Sequence, residues 1–96
     1  MKDLSSDHLD ELLRALAHGD RRCFLKACLK EAVSAGDLAG KSDLALASVS
    51  EHLKVLRKTG LMVLEKQGRF RFYRADKAIL RSVVAALESL EKTDGT

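Results

Sequence analysis

A chain of 96 residues holds a single domain, and its core is thin enough that pairing with a second copy would help bury the remaining apolar faces. No apolar run approaches the roughly 18–20 residues of a membrane helix. The polar, acidic start Met1–Asp10 is no signal peptide, so a cytoplasmic protein with no membrane partner is expected. The net charge of +3 conceals a division: residues 41–77 carry nine Lys and Arg against four Asp and Glu, while the rest carry eight against ten. A basic centre between acidic ends fits a surface that faces a polyanion.

The first helical period runs from Leu4 to Ala17, with Leu9, Leu12, Leu13 and Leu16 at helical spacing. Ser6 or Asp7 caps its start and Gly19 ends it. Asp20 then opens a second helix, Arg21 to about Ala32, striped by Phe24, Leu25, Cys28 and Leu29. Ser34 caps a short helix, Ala35 to Lys41, that buries Leu38 and Ala39, and Ser42-Asp43 forms a turn. The next helix runs from about Leu46 to Lys58, with Val49, Leu53 and Leu56 on its apolar face. Gly60 follows Thr59 at the position just past the helix, where only glycine enters the left-handed region cheaply.

The period then changes. Leu61–Glu65 and Arg69–Arg74 read as two strands around Gln67-Gly68, with Gly68 supplying a positive φ. Phe70 and Phe72 alternate with Arg69, Arg71 and Arg74. Phe70, Phe72 and Tyr73 fit the stacking platform of a single-strand binder, but the alternation fits core packing beneath the hairpin better. Asp76 caps a last helix, Lys77 to about Leu90, striped by Ile79, Leu80, Val83, Val84, Leu87 and Leu90, and Glu91–Thr96 is a polar, frayed tail. Four helices, a hairpin and a helix make a mainly α winged helix-turn-helix. It fills one domain, 1–96, with a recognition helix at about 46–58 and a wing at about 61–74.

Three runs carry a resemblance to a known family: Asp37-Leu38-Ala39, Ser48 to Leu61 (SVSEHLKVLRKTGL) and Gly68 to Arg74 (GRFRFYR). Upstream, Leu13 to Arg22 (LRALAHGDRR) fits too. The chain resembles the ArsR/SmtB family of bacterial and archaeal repressors over residues 9–90. The resemblance implies a homodimer built from the first and last helices, a recognition helix in the major groove and a wing on the adjacent backbone or minor groove. The sequence departs from the family at Ala45-Leu46-Ala47, an apolar entry with Ala45 where a serine often sits.

The residues expected at DNA follow from that placement. Base edges are read from the first two turns of the recognition helix by Leu46, Ala47, Ser48, Ser50, Glu51 and His52. Lys54, Arg57, Lys66, Arg69 and Arg71 supply phosphate affinity. Leu9, Leu12, Ile79, Leu80, Val83, Leu87 and Leu90 are expected at the dimer interface, because the last helix has more apolar surface than a small monomer exposes.

Metal sensing in the family uses a Cys-x-Cys pair near the third helix, yet Val33–Leu38 holds no Cys. It also uses an Asp-x-His with His-x-x-Glu set, matched here by Asp76, Ala78, Ser89 and Lys92, of which only Asp76 fits. No metal and no cofactor are therefore expected. Cys23 and Cys28 sit five positions apart on one helix, which turns them about 140° from each other and disfavours a disulfide between them.

The leading expectation is a double-stranded-DNA-binding repressor, a homodimer on a near-palindromic operator, with its inducer unknown or absent. The alternatives are a thiol-, metal- or metalloid-responsive repressor using Cys23 and Cys28, and a winged-helix protein-interaction module, against which the basic wing argues. Nothing in the pattern places a nucleophile with a base, or a phosphate loop, in a pocket, so an enzyme is not expected.

Overall fold

Helical spacing and strand alternation separate this sequence into helices and a hairpin, and the fold adds a third, two-residue strand to the hairpin. The structure is a computed structural model and describes residues 4–92. Helix α1 spans Ser6–Leu16 and α2 spans Gly19–Lys30. Strand β1, Val33–Ser34, leads into α3, Ala35–Gly40, and then α4, Leu46–Lys58. The hairpin is β2, Met62–Gln67, and β3, Phe70–Ala75, followed by α5, Lys77–Glu88, and a 3₁₀ turn, Ser89–Glu91.

The starts of the first two helices differ from expectation. Ser5 caps α1, its side chain accepting from the His8 N–H, so neither Ser6 nor Asp7 takes that place. Gly19 does not end a helix but begins α2. Ser34 and Asp76 do cap, the latter accepting from the N–H groups of Ala78 and Ile79. The bounds of α4 are those read from the sequence, and Gly60 has a φ of +89° immediately beyond it. The last helix ends at Glu88 rather than Leu90, and the tail expected from Glu91 onward falls, for residues 93–96, outside the described residues.

Strand β3 lies in the middle of the sheet, antiparallel to both β1 and β2. The strand β1 has no counterpart in the sequence reading, because two residues show no period. The hairpin loop is Gly68-Arg69, flanked by the pair Gln67 and Phe70, so Arg69 belongs to the turn and not to a strand. Gly68 takes a φ of +63° there.

Directly paired residues share a face of a sheet. One face of the hairpin therefore carries Met62, Leu64, Tyr73 and Ala75, of which Met62 and Ala75 are buried and the other two half-buried. The other carries Val63, Glu65, Gln67, Phe70, Phe72 and Arg74. This corrects the expectation for the aromatics: Phe70 and Phe72 lie on the outer face, with Phe70 62% exposed.

The core joins Leu12 and Ala15 of α1, Phe24, Leu25 and Cys28 of α2, Leu38 of α3, Val49, Leu53 and Leu56 of α4, Leu61 and Met62 at the hairpin's base, and Val83 of α5. Each fully buried Leu contributes about 1.5–3 kcal/mol. Asp76 N donates to the Leu61 carbonyl at 2.8 Å and closes the base of the hairpin.

Candidate nucleic-acid interface

The buried stripe of α4 is Val49, Leu53 and Leu56, the i, i+4, i+7 set of an amphipathic helix. At 100° per residue, Ala47, Glu51, Lys54 and Lys58 point away from it, and Ser50 and Arg57 lie on a flank. All six are exposed, as are Leu46 and Ser48. Ala45 makes no side-chain hydrogen bond at the entry, and the first turn holds no acidic residue, so the helix's positive end is left uncompensated.

His52 departs from its expected place. Three residues after Val49, it lies about 60° from the buried stripe, and the ring is half-buried. Its Nδ1 accepts a hydrogen bond from Arg21 Nε of α2 at 2.9 Å, which puts the neutral ring's proton on Nε2. The His18 ring is 5.8 Å away and the Phe24 ring 6.4 Å. His52 thus ties α4 to α2 instead of standing on the exposed face. The sequence carries no signal for this link, since its partners are 31 positions apart. The same holds for His8, whose Nε2 donates to the Thr59 carbonyl at 2.9 Å, joining α1 to the end of α4.

At the wing, Lys66, Arg69 and Arg71 are all exposed. Lys66 stands directly across the hairpin from Arg71. Like charges facing each other destabilise a strand pair, so this pair costs the free protein stability. Nearer the base, Arg74 is bonded to Glu65. The end of the hairpin is thus cationic on the face that, nearer the base, carries Leu64 and Tyr73, and residues 66–71 contain no carboxylate.

The residues expected at a dimer interface divide by burial. Leu12 and Val83 are buried inside the protomer and cannot serve there, and Leu9, Ile79 and Leu80 are half-buried against the same core. Leu87 and Leu90 are exposed, joined by Leu13 and Val84. The apolar surface of α1 and α5 exceeds one face: Val83 and its neighbour Val84 lie about 100° apart, one inward and one outward.

Cys23 is exposed and Cys28 buried, and both are free thiols. Burial pushes the Cys28 thiol up from 9.0 to about 11, so at neutral pH it is protonated and a poor nucleophile. Among the described residues no group of three His, Cys, Asp or Glu side chains comes together in a way that could hold a metal ion. Asp76 is occupied as the cap of α5. No described helix is long and apolar enough to cross a membrane.

No family model matches the chain. The transcriptional activator HlyU of Vibrio cholerae is 29% identical over 79 residues, 82% of this chain and 73% of HlyU. The solved structure of that protein matches with a TM-score of 0.72, covering 90% of this chain and 94% of its own. A crystallised ArsR family transcriptional regulator matches with a TM-score of 0.83 at 28% identity, covering 94% of this chain and 93% of its own. A homodimeric winged helix-turn-helix DNA-binding domain from Mycobacterium bovis, at 20% identity and a TM-score of 0.72 over 97% of this chain and 93% of its own, shares the fold. In sequence and in architecture alike, the chain is similar to winged helix-turn-helix transcriptional regulators of the ArsR family.

Proposed function

We propose that this protein is a double-stranded-DNA-binding transcriptional repressor that acts as a homodimer on a near-palindromic operator. The observation that carries the reading is the wing: a like-charge pair, Lys66 and Arg71, beside Arg69, held together at a cost that phosphates would relieve. The exposed face of α4 supports it. Ser48 and Ser50 can donate to or accept from base edges, Glu51 can accept from a cytosine amino group, and Leu46 and Ala47 can meet a thymine methyl. Lys54 and Arg57 stand where phosphates would run. His52 supports this surface through its bond to Arg21.

The dimer is placed on the exposed side chains of α1, α5 and the 3₁₀ turn after it: Leu13, Val84, Leu87 and Leu90. Pairing through them would cover an apolar patch and present two copies of α4 about one helical turn of DNA apart. The Mycobacterium bovis domain that shares the fold is homodimeric, which supports pairing without locating it.

Selection of bound fragments from genomic DNA with the purified protein, followed by titration of a recovered duplex against random DNA, tests the reading. Ser50→Ala is expected to cost on the order of 1–3 kcal/mol on the selected duplex and less on random DNA. Equal losses on both would refute base reading. Because HlyU carries the name of an activator, a reporter behind the recovered promoter decides the direction. Its output should rise when the gene is deleted, and a fall would make the protein an activator.

A further inference from the structure

We propose that Phe70 is the apolar, salt-insensitive element of the wing's DNA contact, its ring packing on the sugar walls of the minor groove; the proposal rests on the DNA-binding reading above. Phe70 is the first residue after the Gly68-Arg69 loop and is 62% exposed, although burying a Phe side chain is worth about 1.5–3 kcal/mol. The ring is not loose, for it lies 6.5 Å from the Phe72 ring at an interplanar angle of 45°, a tilted aromatic pair that fixes its direction. Phe72 is itself half-buried and paired across to Ser34 of β1, so the pair is braced from the sheet.

The surroundings select the occupant. Within residues 66–71 there are three cations and no carboxylate, with Arg69 in the loop beside Phe70. Lys66 and Arg71 lie on the opposite face of the hairpin, so the tip is apolar on one side and cationic on the other. A surface that receives both sides at once has apolar walls between lines of negative charge. The minor groove of a duplex has this composition, with sugars along its walls and phosphates along its rims. A second wing does not, since its own cations would repel these.

The test uses the full chain and a duplex recovered by selection from a random-sequence pool, with affinity measured over a salt series. Phe70→Ala should bind about tenfold more weakly at every salt concentration, with an unchanged salt slope, and with the melting temperature and sedimentation of the free protein unaltered. Phe70→Leu should recover most of the loss. Arg69→Ala should instead flatten the slope by about one. Phe70→Ala binding as tightly as the parent overturns the proposal. So does a loss accompanied by lower thermal stability or altered sedimentation, which would make Phe70 an internal or protein–protein contact. If the parent chain binds no duplex from the pool, the DNA-binding reading itself fails, an outcome distinct from both.

Discussion

At the scale of single residues, the histidine on α4 shows how a polar side chain in a helix can serve the site from behind it. His52 accepts from Arg21 in a half-buried position, and removing an acceptor there leaves the guanidinium short of a partner. His52→Ala is therefore expected to destabilise the free protein by about 1–3 kcal/mol, read as a fall in melting temperature in the absence of DNA. A side chain that only read bases would leave that temperature unchanged. Cys28 offers a second measurement. Its thiol is neutral in the fold up to about 11, whereas in the unfolded chain it ionises near the ordinary 9.0. The unfolded state therefore releases its proton first. The stability contribution is intact below pH 9 and is lost as the pH climbs towards 11. Parent and Cys28→Ala melting curves, compared between pH 8 and 11, should show the alkaline decline reduced in the variant. Parallel declines would assign it to other groups.

At the scale of elements, the hairpin's like-charge pair sets stability against the proposed contact with DNA. Lys66→Glu converts a repulsive cross-strand pair with Arg71 into an attractive one. It should stabilise the free protein by about 0.2–1 kcal/mol while weakening DNA binding at low salt, an opposition visible by combining thermal melts with a binding titration. The helices that carry the site were legible in the sequence because their signals are local. The stripe Val49, Leu53, Leu56 and the glycine after Thr59 fix α4, and Gly68 fixes the turn to within a residue. The faces of the hairpin were not legible. Phe70 and Phe72 are bulkier than Leu64 and less polar than Tyr73, yet the face that meets the core is decided by Met62 and Ala75 at the base, and period two carries that choice to the tip. The partners of His8 and His52 were invisible for a different reason: each link closes over a separation no local pattern spans.

At the scale of the whole molecule, the proposed dimer rests on the outward side chains of α1, α5 and the turn after it. Leu87→Lys with Leu90→Lys should yield a folded monomer in sedimentation at micromolar concentration, with the melting profile still cooperative because both side chains are exposed in the protomer. A variant that still sediments as a dimer would move the interface elsewhere. The bond from His8 to the Thr59 carbonyl gives that assembly a further property. It fastens the helix beside the exposed apolar face to the far end of the helix proposed to meet DNA. In a dimer built on that face, the gap between the two reading helices is set by protein geometry, as in a pair of calipers locked at one opening. Adding one base pair between half-sites shifts the second by about 3.4 Å and swings it by about 35° around the duplex. A locked pair of this kind measures the length of its operator as well as reading its letters.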